Sequence, residues 1–362
     1  PEGNPSGVLF EDAIHLVGDI VPRPPTEQLA EHIKAAIARA HRGGLTGAHD
    51  FDGRECFQAL QFLRSRDELT LRVVKNLPVE MLDHALNVGL RWGFGDDMLR
   101  IGGFKSFADG ALGPRTALMI DPYEGEPDNR GICVTDPEDL MEHASRASAA
   151  GMPSAIHAIG DRAVHDVLAI YEAVRKEEAA RGLLPHQMRH RIEHVQIIHP
   201  DDASRLGKLG IVASMQPIHA TSDMDMADRY WGARAEYSYN WRLQFDAGAP
   251  IAFGSDAPIE PIEPLLGIHA AVARRRADGS PGPEGWRSGS GGRLTVAEAL
   301  HGFTIGPAYA AGMENRLGRL SPGYLADLVV LDQDIFSCDP MAILDVRPIG
   351  TMVGGKWVYR EF

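Results

Sequence analysis

Cysteine is scarce in this chain. Cys56, Cys133 and Cys338 are the three in 362 residues, and their odd number and wide spacing indicate neither a disulfide framework nor a Cys-rich zinc module. A reducing compartment, the cytoplasm, is the expectation that follows. Positive charge is also in deficit, with 36 Lys and Arg against 50 Asp and Glu and a formal charge of −14. That balance argues against an extended nucleic-acid or anionic-membrane surface. No apolar run approaches the roughly 18 residues of a membrane span. No G-x-G-x-x-G or Walker sequence signals a dinucleotide or nucleotide. An initiator methionine is lacking as well: the sequence opens on Pro1, and its first residues read as the middle of a domain. The expectation is a chain incomplete at its N-terminus, whose signal peptide, if any, would precede Pro1.

What is present is an alternation of strand and helix patterns. Thr26 to His41 places Leu29, Ile33, Ile37 and Ala40 at helical spacing before Gly43 and Gly44, an amphipathic helix with a glycine stop. β-prone stretches follow at Leu45–Phe51, Leu69–Leu77, Leu99–Phe107, Met152–Ile159, Arg191–Ile198, Ile211–Ile218 and Ile251–Ser255. Between them, Asp136 stands as an N-cap with Pro137 in the first turn. Such alternation needs parallel strands with helical crossovers, in a doubly wound sheet or a closed barrel. Asp278–Arg293 reads as a Gly, Ser and Pro-rich loop, and Thr295 and Glu298 have capping-box spacing for a helix after it. Tyr324–Leu331 and Thr351–Tyr359 suggest a small terminal β unit.

Residues able to do chemistry fall where strands end. His157 follows Ser154, Ala155 and Ile156, with Asp161 just beyond; His194 follows Arg191, Ile192 and Glu193; Asp256 follows Phe253, Gly254 and Ser255. In a barrel those carboxyl ends converge on one face, so residues far apart in sequence can meet around one ion. Imidazole and carboxylate suit zinc and related divalent metals, which activate water for hydrolysis. Lys105, following Gly102, Gly103 and Phe104, is awkwardly placed for an unmodified ammonium. An ordinary salt bridge is the alternative. The Arg274, Arg275 and Arg276 cluster does not outweigh the acidic balance.

The ordered set Gly-Phe-Lys105-Ser-Phe-Ala-Asp-Gly, His157-Ala-Ile-Gly-Asp161, Arg-Ile-Glu-His194-Val-Gln and Gly-Ser-Asp256-Ala-Pro resembles the amidohydrolase superfamily. Arg115-Thr-Ala, Ser-Met-Gln-Pro-Ile-His219 and Gly323-Tyr-Leu-Ala-Asp327-Leu place the resemblance in amidohydrolase family 3, the YtcJ-like branch that includes N-substituted formamide deformylases. The resemblance implies a TIM-like (β/α)8 barrel over residues 1–315, its first strand missing, and the C-terminal part of a small β-sandwich over 316–362. It implies that Lys105, carboxylated, bridges two metals, most simply zinc, that His157 and His194 bind one of them, and that Asp256 serves the other. The family's first strand carries a His-x-His pair that occurs nowhere in this sequence, and truncation is the expected reason. In the implied reaction, metal-activated water attacks a C–N bond of the amide or formamide type, and Asp256 accepts the water proton and returns it to the leaving amine. His219, at its strand end, hydrogen-bonds the substrate carbonyl or is a buried structural residue. Asp161 orients His157 or a nearby turn, and Arg115 meets a substrate carboxylate or anchors its loop. An ester or cyclic-amide hydrolase, and a non-catalytic metal-binding or scaffolding relative, are the alternatives. A homodimer is the family-level expectation for partners, beside a small-molecule substrate.

Overall fold

The computed structural model describes residues 7, 9, 11–18, 20–287 and 292–362. Part of the expected Asp278–Arg293 loop, residues 288–291, therefore lies outside the described residues, as do residues 1–6. Each of the seven β-prone stretches contains a strand: β1 Gly47–Asp50, β2 Arg72–Pro78, β3 Leu99–Phe107, β4 Ser154–Ala158, β5 Arg191–His194, β6 Val212–Met215 and β7 Ile251–Phe253. They pair in parallel and in sequence order into one sheet. Helices Arg54–Ser65, Pro137–Ala149, Asp161–Ala180, Arg205–Leu209 and Pro217–Trp231 lie in the connections, as parallel pairing requires. The sheet curls as a TIM-like barrel wall whose two edges are β1 and β7; among the described residues no strand joins them. Its register sets Phe107 beside His157 and Ala158 beside His194.

Local chemistry explains where these elements start and stop. Asp136 accepts the Glu138 N–H at 2.8 Å ahead of Pro137, satisfying one of the donors a helix start leaves unpaired. Thr295 and Glu298 close a reciprocal capping box, the expected helix start. Helix Asp161–Ala180 buries Val164, Val167, Leu168, Tyr171 and Val174 against Ile156 and Ile192 of the sheet. β4 and β5 are buried throughout, and in β5 the buried Arg191 and Glu193 are accommodated by pairing with each other.

The C-terminal β unit is a three-stranded antiparallel sheet in the order β10-β9-β8, with β8 Leu328–Leu331, β9 Pro348–Val353 and β10 Lys356–Arg360. Thr351–Tyr359, which reads as one β stretch, divides into a hairpin. Gly354 and Gly355, at φ +56° and +81°, supply the left-handed turn. The Arg72 guanidinium of β2 clasps Asp327 at 2.6 and 2.8 Å, tying this sheet to the barrel. Both side chains are buried, so removing one partner strands the other's charge. Asp327→Ala is expected to cost about 3 kcal/mol, read from the urea midpoint; an unchanged midpoint would show the clasp to be dispensable.

A cavity of about 340 Å³ lies beside β1 and is lined by Ala48, Val73, Val74, Leu265, Ile268 and Phe303 among others. None of His157, His194, His219 and Asp256 lines it, and it is not the site described next. No described helix is long and apolar enough to cross a membrane.

Candidate metal centre

Three strand ends and one helix start bring the chemical residues together. β5 closes on His194, whose φ of +80° and that of Val195, +46°, leave the extended region at once. β7 runs on to Asp256 at φ +59°. Left-handed backbone at a residue with a Cβ is costly and persists where surrounding contacts enforce it, often at functional sites. His219 departs from the expected position. β6 ends at Met215, and Pro217 begins a helix, so His219 sits on that helix's first turn rather than at the strand end. Proline is well suited to a first helical turn, and Ile211–Ile218 thus divides between two elements.

Nitrogen and oxygen atoms of His194, His219 and Asp256 lie within 4.8 Å of one another. His157 adjoins them, its ring centroid 4.6 Å from that of His194. The imidazoles are oriented from behind. His157 Nε2 donates to the Gly110 carbonyl at 2.8 Å, which leaves Nδ1 with the lone pair, and His194 Nδ1 lies 2.9 Å from Gln216 Oε1. His219 Nε2 is buried without a hydrogen-bond partner and stands 3.8 Å from Asp256 Oδ2, too far for a hydrogen bond.

Burial controls the charges. It holds His157 down at about 3, with help from the Lys105 charge, and His219 at about 4. His194 lies well below the ordinary imidazole range through burial, then through His157 and Lys105. All three are neutral at neutral pH, the form that ligates metals. Burial pushes Asp256 up to about 6, against the pull of Lys105. It also brings Lys105 down to about 8, partly offset by Glu193. The Lys105 ammonium lies 4.6 and 5.2 Å from the ring centroids of Phe107 and Phe51. Below it, Arg191 Nε pairs with Glu193 at 2.8 Å.

The donor set fits a divalent cation of the zinc type. Two neutral imidazoles and a carboxylate are its preferred ligands, and a buried nitrogen without a partner faces the carboxylate. Asp50, Asp52 and Cys56 form a second close group, but the buried Lys75 ammonium already binds Asp50 and the Asp52 carbonyl.

Three other residues complete the surroundings. Asp161 accepts the Ile120 N–H at 2.8 Å, holding a loop backbone. The carboxylate against His157 is instead Asp109, 3.4 Å from Nε2. Asp109 is almost fully buried and accepts N–H groups of Leu118, Ile159 and Gly160 at 2.8–3.0 Å. It stands in the Lys105 motif, two residues beyond Phe107, and was legible there only as a neighbour. Arg115 is paired with Glu126 at 2.6 Å and lies over the Tyr230 ring.

The profile of the amidohydrolase family matches residues 1–359. The chain is 34% identical to the protein LONG AFTER FAR-RED 3 of Arabidopsis thaliana, over 99% of this chain and 62% of that protein. It is 33% identical to the putative amidohydrolase YtcJ of Bacillus subtilis, over 99% of this chain and 66% of that one. The chain thus spans just under two thirds of the length of these relatives. An N-substituted formamide deformylase of Arthrobacter pascens is 30% identical over 73% of this chain and 46% of its own. Among solved structures, an uncharacterized metal-dependent hydrolase from Pyrococcus horikoshii superposes with a TM-score of 0.79 at 28% identity, covering 93% of this chain and 68% of that one.

Proposed function

The chain belongs to the amidohydrolase family, and from that premise we propose that it carries most of the site of a metal-dependent hydrolase acting on an amide- or formamide-type C–N bond. The observation that carries this reading is the convergence of His194, His219 and Asp256 within 4.8 Å at neighbouring carboxyl ends of a parallel barrel wall, the face where such folds do chemistry. The formamide deformylase relative supports the choice of bond. When bound, a zinc-like cation supplies Lewis acidity and lowers the pKa of water to about 7. Asp256, held near 6, is ionised at neutral pH, accepts a proton from the attacking water and delivers it to the departing amine. His157 and His194 hold their lone pairs in fixed directions through Gly110 and Gln216, an arrangement typical of metal-bound imidazoles. The test is hydrolysis of matched N-substituted formamides, linear amides, esters and cyclic amides by the zinc-supplemented protein. Turnover confined to the first two classes supports the reading, turnover confined to esters or cyclic amides replaces the bond, and none at all, also in a chain extended by a strand that carries the His-x-His pair, removes the hydrolase.

Lys105 adds a separate expectation. With its pKa near 8, roughly a tenth of it is neutral amine at pH 7, the form that adds to carbon dioxide and loses a proton to give a carbamate. Raising the pH through 8 increases that fraction. Protein equilibrated with ¹³C-bicarbonate should therefore show a carbamate resonance that strengthens from pH 7 to 8.5 and is absent in Lys105→Arg. No such resonance in the parent protein would remove Lys105 as a carboxylated metal bridge.

A further inference from the structure

His219 belongs to a hydrogen-bonded chain that runs away from the metal centre. The amide is placed with Gln196 Nε2 3.1 Å from His219 Nδ1 and Oε1 3.2 Å from Tyr239 Oη, so a relay running from Asp223 to His219 needs the amide turned over, exchanging the two atoms. Tyr239 Oη in turn stands 2.7 Å from Asp223 Oδ2. Asp223 is one turn beyond His219 on helix Pro217–Trp231, so both side chains project from one face of it.

Tyr239 is fixed from several sides. Its backbone is left-handed at φ +48°, its N–H donates to the Gln196 carbonyl at 2.6 Å, and its carbonyl accepts Arg274 Nη1 at 2.7 Å. The Arg274 guanidinium is itself buried between the Trp241 and Trp286 rings, 4.7 and 5.1 Å from their centroids. A strained backbone held this firmly signals that the position of the phenol matters.

Amide oxygen and nitrogen are nearly isosteric, so the sense of such a chain follows from the groups at its ends. Burial raises the Asp223 carboxyl and the hydrogen bond from Tyr239 pulls it back down; as the carboxylate it can only accept, and at 2.7 Å it takes the Tyr239 O–H. The phenol oxygen then accepts from the Gln196 amide nitrogen, which turns the Gln196 oxygen to His219. An oxygen there requires N–H at Nδ1, and the lone pair is left on Nε2. That nitrogen is buried without a partner and faces Asp256 Oδ2 at 3.8 Å. Two ligands at that separation can share one zinc ion, since Zn–N and Zn–O bonds are each about 2 Å.

We infer that Asp223, Tyr239 and Gln196 form a one-way hydrogen-bond relay that fixes His219 as its Nδ1–H tautomer and turns Nε2 into a ligand of the cation rather than a hydrogen-bond donor to substrate. The inference rests on the metal-dependent reading above. Asp223, Tyr239 and Gln196 are positioning residues that act through His219.

Two measurements on the whole chain test it. The first is ¹⁵N NMR of histidine-labelled, metal-free protein, with His219 identified by its loss in His219→Gln. The relay predicts the Nδ1–H pattern in the parent protein and in Gln196→Glu, whose carboxylate still accepts from Nδ1, and a shift toward Nε2–H in Gln196→Leu and Tyr239→Phe. The second is Zn²⁺ titration against a competing chelator, in which Tyr239→Phe and Gln196→Leu should weaken binding by about 10–100-fold while Gln196→Glu retains it. Thermal melts of each variant separate loss of folding from loss of the relay. The Nε2–H pattern in the parent protein would overturn the inference, and so would variants that melt normally and keep both the tautomer and the zinc affinity. Absence of Zn²⁺ binding in the parent protein would instead remove the metal reading, and the tautomer pattern would still decide the relay.

Discussion

Asp256→Asn is expected to lower turnover of a formamide or simple amide by about 10³-fold, with the loss in kcat rather than KM. The substitution preserves shape and removes the one group in the centre that can carry a proton between water and a leaving amine, a contribution typically of 10²–10⁴-fold. Folding should not suffer. Burial raises Asp256 from 3.8 to about 6, so at neutral pH the ionised carboxylate is less stable in the fold than in the unfolded chain. A neutral amide relieves that cost, and the variant should melt at the same temperature or higher, a familiar exchange of stability for activity. Steady-state kinetics at zinc concentrations that saturate both proteins, with a parallel melt of the metal-free proteins, checks both halves. A variant within threefold of the parent would remove Asp256 from the proton transfers.

Glu178→Gln is expected to be the most destabilising isosteric change, at about 3–5 kcal/mol. Glu178 joins helix Asp161–Ala180 to the amino-terminal side of the barrel. It accepts Arg175 Nη1 at 2.5 Å, His190 Nε2 at 2.8 Å and Ser148 Oγ at 2.6 Å, all of them buried. His190 Nδ1 accepts the Ser154 N–H at 3.0 Å at the start of β4, so its proton is on Nε2, facing the carboxylate. Loss of the negative charge leaves the Arg175 guanidinium buried with only the carbonyls of Leu209, Met188 and Gly210. The melting temperature should fall by roughly 10 °C. Burial alone would raise the Glu178 pKa, but His190, Ser148 and Arg175 outweigh it and hold it near 2 against an ordinary 4.5. A depressed carboxyl stabilises above its unfolded value and loses that contribution as pH falls through its folded value. The gap between parent and variant should therefore be full at pH 6 and shrink between pH 4.5 and 2. A gap that stays constant over that range would assign the effect to packing instead of charge.

The strand pattern was legible because each strand's apolar run is bounded by turn residues and by helices with readable caps. His157, His194 and Asp256 could be named because each stands at or just beyond the carboxyl end of a β-prone stretch. His219 was named but misplaced: the apolar stretch Ile211–Ile218 conceals the change from strand to helix at Gln216 and Pro217, and periodicity cannot divide so short a run. Asp109 gave no sign of its part because its contacts come from Leu118, Ile159 and Gly160, which only the fold assembles around it. Gln196 stood in the His194 motif without a role, and Tyr239 and Asp223 gave no sign for the same reason. Tyr239 reaches Gln196 across 43 residues, and its left-handed backbone has no signature in a residue type that rarely adopts it.

Zinc binding to the purified chain tests the central claim most directly, by titration against a chelator with elemental analysis of the saturated protein. The account predicts saturable binding that is lost in His194→Ala and sharply weakened in Asp256→Asn, with both variants still melting cooperatively. No saturable binding, or binding that both variants retain, would contradict it and leave His194, His219 and Asp256 as neighbours without a shared ion.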